Sequence, residues 1–197
     1  MSFDPNAIRA DIEVETLRVF DPPAWEAATE YERYTHVSKS GLVYLNTAKT
    51  KAEDPETEDV WKLRGPVIPV LFENVTSKIP AGGAVKVLVS WAGTTPQAIP
   101  CGCPPYQGGL VDGVLTLFAH TPINEGTKAG LDAITRFRDV IPLWGQLPDF
   151  IAGVDRPCYE MSQPTGPASA GDNGAGDFFT HNLTATLTAS DNGSGLV

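Results

Sequence analysis

Cationic charge is scarce in this chain of 197 residues: 14 Lys and Arg stand against 24 Asp and Glu, for a formal net charge of -10. A chain this acidic is poorly suited to gripping nucleic acid, because phosphate contacts need clustered Lys and Arg. Cysteine is also sparse. Cys101, Cys103 and Cys158 make no disulfide framework. No apolar run approaches the roughly 18 residues a membrane helix needs. The opening MSFDPNAIRADIE carries charge and lacks the apolar core of a signal peptide. The expectation is a soluble protein made in a cytoplasm, with no membrane partner.

Catalytic patterns are missing as well. There is no G-x-S-x-G, no Walker A loop and no G-x-G-x-x-G after a strand. His36, His120 and His181 sit in unrelated settings. His181 alternates with apolar residues and reads as a packed core histidine. Cys101-Gly102-Cys103 has one-residue spacing, is bracketed by Pro100 and Pro104, and has no partner pair, so free thiols fit better than zinc. Gly171–Asp177 is a single turn-like copy of a pattern that binds calcium only in arrays. No catalytic residue, metal ligand or cofactor is expected.

What the chain does have is enough apolar content, 42%, to build a core. Asp4-Pro5 has the form of a helix cap followed by Pro at the first helical position. Ile8, Ile12 and Val19, with Ala10, Val14 and Leu17, predict a helix over 5–19; the β-branched content of Glu13–Phe20 leaves a strand open there. Asp21-Pro22-Pro23 ends the element. Residues 24–64 differ in texture, being aromatic at the ends and charged in the middle. Val37 and Leu42–Leu45 flank Ser38-Lys39-Ser40-Gly41 as a small hairpin, and Lys49–Asp59 reads as a polar loop.

After Gly65-Pro66 the aliphatic runs return. Strands are expected at Val67–Phe72, at Ala84–Trp91, where Val85, Val87, Val89 and Trp91 alternate, and at Leu110–Ala119. Ala92–Gly109 is a Pro/Gly-rich loop. Asn124 offers a cap for a helix bearing Leu131, Ile134, Phe137 and Ile141, stopped by Pro142. Cys158–Met161 reads as a short strand and Gln163–Gly176 as a mobile loop. The last strand puts Phe179, His181, Leu183, Ala185, Leu187 and Ala189 on one face and threonines on the other. Residues 191–197 read as a flexible tail. The fold class expected is α+β: a mostly antiparallel sheet packed with about two helices, plus a small all-β inserted module.

This order of signals resembles the phage tail terminator-like family. Leu71-Phe72-Glu73-Asn74-Val75 precedes a strand; a Gly-rich loop ending Gly108-Gly109 leads to the next; Thr121–Gly126 leads to Leu131-x-x-Ile134-x-x-Phe137-Arg138; Gly176-Asp177-Phe178-Phe179 opens the final strand. Ile8-Arg9-Ala10-x-Ile12-Glu13 before Pro22-Pro23 fits the opening helix. The resemblance covers residues 1–23 and 65–190. It implies a virion structural protein and not an enzyme: a homo-oligomeric, hexameric ring that caps the tail tube protein and joins it to the head-tail connector or stopper. DNA then passes through the lumen without tight binding.

Residues 24–64 resemble instead a small chitin-binding-type carbohydrate module, at Ala24-Trp25, Tyr31, Val37, Gly41, Tyr44, Pro55 and Trp61. The resemblance implies Trp61, Tyr44, Trp25 and Tyr31 as candidate carbohydrate contacts toward surface glycans, through stacking on sugar rings. The adjacent aromatic pair expected after Tyr44 is replaced by Leu45-Asn46-Thr47. Trp25, Tyr44 and Trp61 are better read as a core for the module itself, since so small a unit needs every aromatic it has. Trp61 is the ring expected nearest the surface.

Overall fold

A computed structural model describes residues 4–72, 78–95, 109–141, 159–172 and 177–191. The chain opens with helix α1 (Pro5–Phe20). The Asp4 carboxylate accepts from the backbone N–H of Asn6 and Ala7, satisfying donors that an uncapped first turn leaves open. The buried face carries Ile8, Ile12, Val19 and Phe20, as the spacing suggests, but also Glu15 and Thr16. Thr16 Oγ1 donates to the Ile12 carbonyl at 2.7 Å, and Glu15 pairs with Arg18 at 2.8 Å. Val14, expected inward, is exposed.

Residues 30–66 form two small sheets: β1 (Glu30–Tyr31) with β4 (Thr50–Lys51), and β2 (His36–Lys39), β3 (Leu42–Asn46) and β5 (Trp61–Pro66) in the order β2-β3-β5. The β2–β3 turn is Ser40-Gly41, with φ of 53° and 75°. Two left-handed residues suit a two-residue hairpin, whose twist then matches the strands. The polar stretch Lys49–Asp59 thus contains a strand, β4.

The main sheet has the order β10-β11-β8-β7-β6, with β9 also on β11. Its strands are β6 (Val70–Leu71), β7 (Ala84–Thr95), β8 (Gly109–Pro122), β9 (Tyr159–Met161), β10 (Thr165–Asp172) and β11 (Phe178–Asp191). All pairings are antiparallel except β6 with β7. Only two residues of the expected Val67–Phe72 strand enter the ladder. Helix α2 (Lys128–Val140) starts after Thr127, while Asn124 lies in a 3₁₀ turn, Ile123–Glu125. Leu131, expected inward, is exposed. The stretch expected as a mobile loop, Gln163–Gly176, contains β10, paired to β11 through two register shifts. Pro142, Cys101, Cys103, Cys158 and residues 192–197 lie outside the described residues.

Both helices contribute to one core. Ile8, Ile12, Val19 and Phe20 of α1 join Ala133, Ile134, Phe137 and Val140 of α2. They pack with Val85, Val87 and Val89 of β7, Leu115 and Leu117 of β8, and Leu183, Ala185 and Leu187 of β11. Phe20 and Phe137 stack at 6.1 Å between centroids. The fold is α+β, with a mostly antiparallel sheet.

Candidate functional site

The chain leaves the α1 body at Phe20 and returns at Ile68, whose N–H donates to the Phe20 carbonyl at 2.9 Å. Between these points lies the small sheet β2-β3-β5. One face carries Val37, Tyr44 and Trp61, which cluster with Tyr31 and with the partly buried Trp25. The other face carries His36, Val43 and Leu45, all buried.

The four aromatic candidates are therefore placed together, but three are inward. Trp61, expected at the surface, is 6% exposed, Tyr44 6% and Tyr31 9%. Tyr31 meets Trp61 edge to face at 5.5 Å, and Trp61 Nε1 donates to the Glu53 carbonyl at 3.1 Å. The Glu26 N–H donates to the Tyr31 hydroxyl at 2.7 Å. Trp25 is half-buried, with Lys39 Nζ 4.6 Å from its ring centroid. Lys39 in turn contacts Asp54 at 2.6 Å, which raises the Lys39 pKa and lowers that of Asp54. Asn46, standing where an aromatic was expected, is fully buried. Its Nδ2 donates to the carbonyls of Glu32 (2.6 Å) and Ala48 (3.0 Å), and its Oδ1 accepts from the Thr35 N–H (2.7 Å). It ties three loop segments that a ring would not.

The seam between this module and the α1/α2 body holds two arginines. Arg136, 4% exposed, projects from the buried face of α2. Its Nη1 donates to the Pro66 carbonyl at 2.8 Å and its Nη2 to the Val19 carbonyl in the last turn of α1, where the helix dipole favours a cation. The guanidinium lies 4.9 Å from the Phe20 ring centroid. Arg64 Nη2 donates to the Arg136 carbonyl at 3.3 Å and reaches Asp139 at 3.5 Å. Burial, then Arg64, lowers the Arg136 pKa to about 9, so it remains cationic at neutral pH. His36 faces the same charges. Burial first, then Arg136, Arg64 and Arg18, push it down to about 3, and it is neutral. The signal for Arg136 was readable: a charge in register with Ala133, Ile134 and Phe137 on an apolar helix face. Arg64 and His36 gave none.

Beside the seam, a cavity of about 570 Å³ runs along α2, lined by Ala129, Asp132, Ala133, Arg136 and Asp139. Leu63–Pro69 forms one wall, and His120, Thr121 and Glu125 lie at its rim. His120 Nδ1 is 3.0 Å from Thr180 Oγ1, and burial, then Lys86, lowers its pKa. Among the described residues, no group of three or more His, Cys, Asp or Glu is placed to hold a metal ion, and no helix is long and apolar enough to cross a membrane.

No protein-family model matches the chain, and no curated protein matches it. One solved structure, whose name carries no functional word, is similar over 62% of this chain and 79% of its own, at 13% identity and a TM-score of 0.38. A likeness of that size carries no argument.

Proposed function

We propose that residues 1–23 and 65–190 form a tail-terminator-type subunit, a non-enzymatic structural protein of a virion tail or neck, synthesised in the host cytoplasm. Copies close a hexameric ring that caps the tail tube protein and meets the head-tail connector. What supports the reading is the element order: α1, then β6–β8, then α2, then the long β11, with both helices in one core against a mostly antiparallel sheet. That is the order on which the resemblance rests. A ring needs heterologous contacts, one face of a subunit against a different face of the next. Residues 24–64 are an insertion, which a ring with an open lumen has room for only at its outer rim.

Size-exclusion chromatography with light scattering tests this, with the protein alone and mixed with tail-tube protein. A species several-fold heavier than the 21.0 kDa chain is expected. A monomer under both conditions refutes it. The competing reading, a carbohydrate-binding adsorption protein, draws on the aromatic content of the insertion, but burial of Trp61, Tyr44 and Tyr31 leaves only Trp25 partly accessible. One ring contributes on the order of 1 kcal/mol by stacking, which gives no better than roughly millimolar affinity. Micromolar saturation of the full chain by chito-oligosaccharides, followed by tryptophan fluorescence, favours that reading instead.

A further inference from the structure

We propose that the cavity along α2 is an oxyanion-binding site, in which Arg64 and Arg136 hold the carboxylate or phosphate group of a small molecule with an apolar body. The cavity, about 570 Å³, falls in the size range of small-molecule sites. Both arginines line it. A guanidinium has five N–H donors and cannot accept. Arg136 places Nη1 and Nη2 on carbonyls, while Arg64, among the described residues, contacts the Arg136 carbonyl and Asp139 through Nη2 alone, which leaves the rest of its fork for a ligand.

The charge count points the same way. Among the described residues, Asp139 is the only carboxylate paired with Arg64, at 3.5 Å; it also serves Arg138 at 3.8 Å, while Arg136 makes no ion pair. At its Arg64 and Arg136 end the lining is therefore cationic, with two guanidinium groups against Asp139, in a chain of net charge -10. Planar guanidinium pairs match oxyanions in bidentate geometry.

The rest of the cavity restricts the ligand. Ala129, Asp132, Ala133, Arg136 and Asp139 follow one helix face, so the cavity spans eleven residues of α2, about 15 Å at the helical rise. Val67, Ile68, Ala84, Val85 and Ala119 give apolar walls. Glu125 and Asp132, at the α2 N-terminal end, repel a second anionic group. One oxyanion on a short apolar body fits this polarity.

Full-length protein is titrated with hexanoate, inorganic phosphate and hexanol at constant ionic strength set with NaCl, following thermal unfolding. Hexanoate should raise Tm saturably, by about 3–6 °C at ten times its half-saturating concentration, while hexanol should not. A phosphate response larger than that of hexanoate assigns the site to phosphate, a smaller one to carboxylate. Arg64→Gln should abolish the response. Arg138→Gln removes the same charge outside the cavity lining and should preserve it. The proposal is overturned by equal responses to hexanol and hexanoate, by equal losses in the two variants, or by no saturable response to either oxyanion.

Discussion

Gly130→Ala separates helix propensity from packing, because the two effects have opposite signs at this position. Gly130 lies in the first turn of α2, where an alanine ordinarily stabilises by about 0.5–1 kcal/mol. A methyl here, however, would sit 2.6 Å from His181 Cδ2 and 3.4 Å from Thr121 Cγ2. Optimal carbon contacts are about 3.5–4.0 Å, so the overlap with His181 is about 1 Å. The imidazole cannot yield cheaply. It is 4% exposed, lies 5.0 Å from the Phe179 ring, and belongs to β11, which is paired on both edges. Overpacking of this kind costs about 1–3 kcal/mol, which exceeds the helical gain. The expected net loss is about 1–2 kcal/mol, or roughly 2–8 °C in Tm for a chain of this size.

A double-mutant cycle makes the reasoning testable without assuming either term. With His181→Ala the ring is gone and its overlap with it, so Gly130→Ala should then stabilise by the helical term alone, about 0.5–1 kcal/mol. The sign reversal implies a coupling energy of about 1.5–3 kcal/mol, within the range seen for residues in contact. Urea unfolding of the four proteins measures it. A Gly130→Ala chain more stable than its parent, or an effect of equal size in both backgrounds, refutes the account.

Phe137→Ala removes a fully buried ring stacked on Phe20 and should cost about 3–5 kcal/mol by urea unfolding. His36 is neutral in the fold, pushed down to about 3, whereas an unfolded histidine takes its proton near 6.5. The unfolded chain therefore binds more protons below that pH, and stability falls as pH drops from about 6.5 toward 3, by up to about 1.4 kcal/mol per unit; His36→Gln should flatten this dependence, and urea midpoints with the same slope in both chains refute it. Net charge of -10 predicts no tight binding to duplex DNA at physiological salt, and submicromolar, salt-sensitive binding in a gel-shift assay overturns that. Replacing residues 24–64 with a short Gly/Ser linker should leave a soluble, folded body, because the Phe20 carbonyl and the Ile68 N–H already meet at 2.9 Å; an unfolded product by circular dichroism shows the two-part division to be wrong.

Sequence alone exposed the elements whose local pattern and tertiary role agree. β11 alternates because one face meets α2 and the other does not. α1 begins where Asp4 can accept two orphan N–H donors. β10 was illegible because its residues, Thr-Gly-Pro-Ala-Ser-Ala-Gly-Asp, have turn composition; long-range pairing to β11 makes it a strand, and no local signal encodes that partner. The α2 start was misplaced for a related reason. Asn124 is a better capping residue than Thr127, but the chain spends Ile123–Glu125 in a tight turn after β8. In the candidate site, the aromatic residues of the insertion were legible as a group, since they cluster. Which way they face was legible only in part: the small size of the unit favoured a core, which Tyr44 and Trp61 enter, but Trp61 was also expected nearest the surface, because a ring spacing that suits stacking on sugar suits stacking on another ring equally well.

The small sheets between Phe20 and Ile68 illustrate how much of so short a segment is given to structural duty. In its three-stranded sheet Tyr44 and Trp61 are buried on one face and His36, Val43 and Leu45 on the other, while Lys62 and Leu63 of β5 are exposed. Outward it presents Leu63, 59% exposed, and charge: Lys49 between Glu30 and Glu32, at 2.5 and 2.7 Å, and Lys39 with Asp54 and Glu56. Exposed pairs of this kind contribute about 0–1 kcal/mol each, so they do not explain why the module stays folded. The aromatic cluster and the Arg136 contacts do, since both are shielded from water. Arg136 reaches the carbonyls of Val19 and Pro66 at once, linking the end of α1 to the strand where the chain returns.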